Sequence, residues 1–164
     1  MQLPWFHDGF LFAKTRAPWA LLILLLGLRP ESFAALGGDV TSVQADQAHF
    51  RATLRSTRGE AYSMQELRSP DGTVIHEYVS PAGKVFGVAW QGPWLPDMSQ
   101  LLGTYFEQYQ QAMQSMGSGR MGRRPIRIEL PGLVVQLSGH ARSFSGQAYV
   151  PDMLPQGIAA GDIR

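Results

Sequence analysis

Residues 73–91 read TVIHEYVSPAGKVFGVAWQ, two runs rich in β-branched and aromatic residues joined by Pro81-Ala82-Gly83. Such residues favour strands, and a Pro–Gly segment favours a tight turn. A third run, residues 62–68, comes before them and is separated by Pro70-Asp71-Gly72, whose glycine supplies the positive φ of a hairpin turn. Three strands at this spacing predict an antiparallel meander over residues 61–91.

Alternation along a strand also predicts which side chains share a face of the sheet, because successive side chains point to opposite sides. His76 and Glu77 are adjacent and are therefore expected on opposite faces, where they cannot form an acid–base pair with each other. In the strand over residues 84–91 the expected faces are Phe86, Val88 and Trp90 on one side and Val85, Gly87 and Ala89 on the other.

A helix is predicted on each side of this meander. Thr41 and Gln44 have the spacing of a capping box, and apolar residues then recur at helical intervals, so a short helix is expected over residues 42–54. Asp97 is expected to cap a long amphipathic helix. Offsets of three and four keep the apolar residues of 98–116 on one stripe, which must face the sheet.

A second β region follows the long helix. Residues 126–130, 133–137 and 141–150 are predicted as strands, with turns at Pro131-Gly132 and Ser138-Gly139. The tail after them holds prolines, glycines and a few apolar anchors, which predicts a packed irregular end. The predicted fold is α+β: an antiparallel sheet of two three-stranded meanders, packed by one long amphipathic helix, with a short N-terminal helix.

Residues 1–34 have the pattern of a secretory signal peptide. Lys14 and Arg16 form a positive flank, residues 17–28 are apolar, and small residues precede a cleavage site between Ala34 and Ala35. The alternative is a membrane anchor, but a spanning helix needs about 20 apolar residues. The sequence has no cysteine, which excludes lipid attachment at the cleavage site. We expect export, to the periplasm or the medium, of one domain over residues 35–164, with only transient membrane contact through the leader.

The composition of the exported part argues against several classes of partner. Removing the leader removes three bases and two acids, so eleven of each remain and the net charge is about zero. A neutral domain does not favour nucleic acid as a partner. The absence of cysteine also removes thiol catalysis and thiolate metal sites.

No catalytic or metal-binding motif is present. His49, His76 and His140 are isolated in the sequence and form no metal-ligand spacing. The serines near glycine, at Ser138 and Ser143-Phe144-Ser145, do not match the nucleophile turn of a serine hydrolase. We therefore predict no catalytic residue, no cofactor and no metal site.

Two stretches are candidates for binding. Trp90 and Trp94 frame a Gly-Pro turn, and tryptophan is enriched in binding sites, although such a residue more often fixes a loop on the core. Arg123 and Arg124 belong to a basic segment that could contact an anionic partner, or could simply be a solvated loop after a helix. With His140 they complete the candidate binding set.

Several longer motifs resemble a family of bacterial exported proteins known only as domain of unknown function 2844. They are Ala35 to Gly38, Leu67 to Trp90 (especially Pro70 to Val74 and Glu77 to Gly83), Leu101-Leu102-Gly103 with Tyr105-Phe106, and Gly139-His140 through Ala148 to Pro151. The resemblance implies one exported domain and brings no activity with it.

The first hypothesis is a non-enzymatic exported module that binds a protein, a glycan or another envelope ligand through residues 90–96 or a sheet edge. The second is an uncharacterised hydrolase-type enzyme that uses His76 or His140 with a carboxylate brought close by folding. The third is an envelope-associated structural protein held by an uncleaved leader.

Overall fold

The computed structural model of the chain describes residues 35–116 and 125–164. The predicted signal peptide and Arg120, Arg123 and Arg124 lie outside these residues. In the described part, no helix has both the length and the apolar character that crossing a membrane requires.

Seven strands form one antiparallel sheet in the order β1-β2-β3-β4-β7-β6-β5. The strands are β1 (Thr53–Arg58), β2 (Ser63–Arg68), β3 (Val74–Val79), β4 (Val85–Gly92), β5 (Ile126–Leu130), β6 (Leu133–His140) and β7 (Ser143–Tyr149). The α+β class and the antiparallel sheet are confirmed. The division into two three-stranded meanders is wrong, because the first meander has four strands and β4 pairs with β7 to join both into one sheet.

The additional strand lies where the short helix was predicted to continue. Helix α1 covers Ser42–His49, the chain turns at Arg51 with a φ of 50°, and β1 begins at Thr53. The side chains of β1 are almost all exposed, so the strand lacks the alternating apolar pattern that identifies a strand from sequence. The capping box is also wrong, since the Thr41 side chain makes no capping hydrogen bond.

The long helix is interrupted at its first glycine. Helix α2 covers Met98–Leu102, a 3-10 turn covers Gly103–Tyr105, and α3 covers Phe106–Met116. Gly103 has a φ of 52° and a ψ of −120°, which a helix cannot contain. Asp97 caps α2 as predicted, because its Oδ1 accepts from the amides of Ser99 and Gln100.

The last hairpin turns later than predicted. Strand β6 continues through Ser138 and Gly139 to His140. The turn lies at Ala141 and Arg142, where Arg142 has a φ of 65°.

The helices cover one face of the sheet. On this helix-side face Leu67, Ile75, Val88 and Trp90 pack with Leu101 and Leu102 of α2 in one apolar core.

The opposite face is partly covered by the tail of residues 150–164. Tyr78, Phe86 and Ile163 are buried together there, with partly buried Met153, Leu154 and Ile158 packed against them. The predicted packed irregular tail is therefore confirmed.

A register shift explains why Phe86 lies on the tail side. Tyr78 of β3 opposes Gly87, and Val79 opposes Val85, so Phe86 is an extra residue in β4. Val85 consequently packs in the helix-side core and Phe86 in the tail-side core. The predicted faces are wrong for these two residues, because strict alternation assumes a strand without a bulge.

Candidate functional site

The tail leaves part of its own face of the sheet uncovered, and this part forms a concave surface of about 740 Å³. We call it the sheet groove. Its polar lining lies in two rows that cross neighbouring strands in register, with buried Ala89 in the first row and Val74 in the second as the apolar positions. The first row is Glu66, His76, Ala89, Gln147, Gln136 and Arg127, and the second is Arg68, Val74, Gln91, Ser145 and Ser138.

Strand geometry explains why these side chains come together. In each strand the residues on either side of a groove residue point to the opposite face, as Ile75 and Glu77 do beside His76. Strands are spaced about 4.8 Å apart, so the first row extends over roughly 24 Å from β2 to β5. The groove is therefore the solvent-facing half of the alternating pattern, made continuous by the register of the sheet.

One end of the groove holds a charged cluster. Glu66 and His76 are directly opposite each other in the β2–β3 register. His76 Nε2 lies 3.3 Å from Glu66 Oε2, and Arg68 Nε donates to Glu66 Oε1 at 2.8 Å. The hydrogen bond from Arg68 is the main reason that the pKa of Glu66 lies below its usual range. Glu66 is therefore an anion held between two cationic or donor groups.

Both ring nitrogens of His76 have acceptors beside them. Nδ1 lies 2.9 Å from the main-chain oxygen of Arg164, while Nε2 faces Glu66. An imidazole can donate from both nitrogens only when it is doubly protonated. The ring is thus held in place by two partners, one at each nitrogen.

His76 and His140, the two histidines proposed for an enzyme, have different surroundings in the structure. His76 has a carboxylate within hydrogen-bonding reach, whereas among described residues the contact recorded for the His140 side chain is the Ala141 main-chain oxygen at 3.2 Å. His76 and Glu77 lie on opposite faces, as predicted. Within residues 35–116 and 125–164, no group of three or more histidines and carboxylates is arranged to hold a metal ion.

The predicted binding residues do not form one site. Trp90 borders the groove, but its side chain is 3% exposed and belongs to the helix-side core. Trp94 is 57% exposed in the loop after β4. Arg123 and Arg124 are outside the described residues. Trp94 is accessible, and its binding role stays a prediction, whereas Trp90 is a core residue.

His140 lies at a second, smaller cavity of about 330 Å³, which we call the loop cavity. Leu95 from the 90–96 loop lines this cavity with Tyr109 of α3 and Phe144 of β7. The 90–96 loop thus meets His140 at this cavity through Leu95, and neither Trp90 nor Trp94 lines it.

The groove residues that sequence reasoning missed are Glu66, Gln91, Gln136 and Gln147. The sequence did contain a signal for Glu66, because a hairpin centred on Asp71 places Glu66 opposite His76. The pairing of Gln147 with Gln136 depended on the β6–β7 turn, which was placed too early.

The fold and the groove define an α+β domain whose antiparallel sheet keeps a polar part of one face open to solvent. Residues 32–163 match the family described as "Protein of unknown function (DUF2844)", and the chain belongs to this family. The resemblance inferred from its motifs is thereby confirmed. No curated protein and no solved structure matches the chain.

Proposed function

We propose that the protein is an exported, non-enzymatic module that binds an uncharged polar ligand in the sheet groove. The observation that carries this proposal is the pair of mainly polar rows on an open, concave sheet face, interrupted by Ala89 in the first row and Val74 in the second. Its volume lies within the range of about 300–1,000 Å³ that ligand sites occupy. The export part rests on the leader pattern of residues 1–34 and on the neutral, cysteine-free composition of the remaining chain.

The charges at the groove favour an uncharged ligand. Arg68 at one end donates to Glu66, and Arg127 at the other end donates from Nε to Glu129 Oε1 at 2.5 Å. Arg68 and Arg127 are therefore each matched by a carboxylate, so these two arginines offer little net charge to an anion. Recognition would depend on hydrogen bonds and shape.

The middle of the groove supplies those hydrogen bonds. Gln91, Gln136 and Gln147 bring amides, and Ser138 and Ser145 bring hydroxyls, all of which both donate and accept. Within the described part of the chain, Gln147 donates to the Ala160 main-chain oxygen at 3.4 Å, while no hydrogen bond is recorded for the side chains of Gln91 and Gln136. Sugar hydroxyls and peptide amides have the matching mixture of donors and acceptors.

An enzyme that uses His76 is the second candidate, and the contact with Glu66 is the observation in its favour. A carboxylate beside an imidazole is a common way to orient a general base. The oxygen of Arg164 at the other ring nitrogen argues against it, because it occupies the position from which a base would act.

We expect neutral oligomers to shift the backbone amide resonances of the groove in two-dimensional NMR spectra of the purified protein. Maltohexaose, chitohexaose and hexaglycine are suitable probes. Gln136→Leu and Gln147→Leu should each weaken binding about tenfold, since each leaves ligand polar groups unpaired. Gln110→Leu, on the exposed side of α3, is the matched control and should bind as the natural protein does.

Three results would contradict the proposal: no shift at groove amides with any probe, equal affinity in all variants, or cleavage of a probe that is lost in His76→Ala. The export part has its own measurement. Mass spectrometry of the protein isolated from its host should give an N-terminus at Ala35, and an intact leader would support the anchored structural protein instead.

A further inference from the structure

Two carboxyl groups are buried together between α1 and the sheet. Asp46 of α1 and Glu77 of β3 are both 0% exposed. Glu77 lies on the helix-side face between Ile75 and Val79, which are core residues. Neither carboxyl belongs to the sheet groove, so this feature goes beyond the proposed function and does not depend on it.

The hydrogen-bond partners of the pair are incomplete. Gln100 Nε2 of α2 donates to Asp46 Oδ1. Asp46 Oδ2 and both carboxyl oxygens of Glu77 have no donor among the described residues. The two carboxyls are hydrogen-bonding neighbours, so a proton held on one would supply the missing bond to the other. An unpaired buried carboxylate is costly, and a shared proton removes that cost.

The groups packed around the pair do not neutralise it. His49 lowers the pKa of Asp46 slightly through its charge, but its Nε2 lies 3.2 Å from Asp97 Oδ2 at the surface. From β2, Gln65 opposes Glu77 in the register and is uncharged. No buried cation from α1, α2 or the neighbouring strands is therefore paired with Glu77 in the described structure.

We propose that Asp46 and Glu77 form a pH-sensitive latch, which holds α1 against the sheet while they share protons and releases it as the protons are lost. Release would free the segment over residues 35–52, of which Leu36 and Val43 are buried in the helix-side core. In the exported protein proposed above, such a latch would respond to the pH of the medium.

The direction of the pH effect follows from the pKa values. Burial raises the pKa of Asp46 to about 6, and burial together with the negative charge of Asp46 raises the pKa of Glu77 well above its usual range. In the released state both return towards about 4. Between these values the closed state binds more protons, so its stability is complete at low pH and decreases as the pH rises through about 6.

Hydrogen exchange of the α1 amides tests the latch in the full chain. The amides of Phe50 and Ala52 donate to Asp46 O and Gln47 O, so their protection reports on α1. After correction for the intrinsic exchange rate, we expect their protection to fall at least about tenfold between pH 5 and pH 8, as the pKa of Asp46 alone requires. The protection of the β4 amides, which report on the sheet, should fall much less than that of the α1 amides over the same pH range.

Glu77→Gln and Asp46→Asn keep the size of each side chain and remove its charge. Each should reduce this pH dependence by the share of the carboxyl that it replaces, because burial still raises the pKa of the remaining one, and the double variant should abolish most of the dependence. Glu107→Gln, an exposed acid on α3, is the matched control and should retain it. The latch is overturned if α1 protection in the natural protein is independent of pH, or if both folded variants keep the full dependence. Two variants are used so that poor folding of one does not decide the result.

Discussion

Replacing Gly146 with alanine is expected to lower the free energy of unfolding by about 3 kcal/mol, near the upper end of the usual cost of overpacking. Gly146 lies in the middle of β7, where it opposes Trp90 of β4 and Leu137 of β6. An added Cβ would overlap Cζ2 of the Trp90 indole and would lie 2.6 Å from the main-chain oxygen of Gln136. The indole is buried, and the oxygen belongs to the neighbouring strand, so neither can move away cheaply.

Urea unfolding followed by circular dichroism measures this loss of free energy. Thermal unfolding should show a fall in melting temperature of about 10 °C. Gly161→Ala is the matched control, because no atom lies within 4 Å of the added Cβ there. It should change stability by less than about 0.5 kcal/mol. A loss at Gly146 no greater than at Gly161 would mean that β7 does not pair with β4 as described.

The hairpins were predictable because their turns carry local chemistry. Gly72 and Gly83 have φ values of 90° and 78°, the conformation that glycine adopts without strain. These two turns place β2, β3 and β4, and the alternating apolar residues between them identify the strands. Local turn chemistry and side-chain period agree here, which is the condition under which sequence predicts structure.

The remaining errors have non-local causes. Strand β1 is defined by pairing with β2 at the edge of the sheet and has almost no buried side chain to mark it. The bulge at Phe86 and the break at Gly103 each interrupt a regular pattern by a single residue. Pattern matching assumes regularity over a whole element, so a one-residue irregularity is invisible to it.

The candidate site was less predictable than the fold, because its residues come from six strands. The contact between Glu66 and His76 follows from one hairpin register, but the groove requires the pairing of β4 with β7, which joins segments more than 50 residues apart in sequence. The buried pair of Asp46 and Glu77 was hard to predict for the same reason, since its two residues lie in different elements of the chain. Glu77 stands in an apolar strand, where its burial could be suspected, while its neighbour Asp46 comes from a helix before β1.

Replacing Ile163 with alanine is expected to cost about 3 kcal/mol, which is typical for truncating a buried isoleucine. Ile163 is 0% exposed and packs in the tail-side core with Phe86 and Tyr78. Its Cδ1 would lie 2.8 Å from a Cβ added at Gly87. The absence of a side chain at Gly87 is thus what allows the tail to seat its isoleucine on β4.

The same contact predicts that Gly87→Ala and Ile163→Ala are not additive. Gly87→Ala alone should destabilise the protein by about 1 kcal/mol through overpacking. In the double variant the new methyl group occupies part of the space that the isoleucine leaves, so the loss should be smaller than the two single losses together by at least about 1 kcal/mol. Chemical unfolding of the four proteins in this cycle measures the difference.

Ile158→Ala is the control for the tail, because Ile158 is only partly buried and should cost less than Ile163→Ala. Simple additivity of the Gly87 and Ile163 variants would show that the tail does not contact β4 at this point. A loss below about 1 kcal/mol in Ile163→Ala would show that the tail does not complete the core. In that case Arg164 would not border the sheet groove either. The same packing of the tail positions Arg164, whose main chain forms hydrogen bonds of 2.6 and 3.0 Å with the Tyr78 hydroxyl.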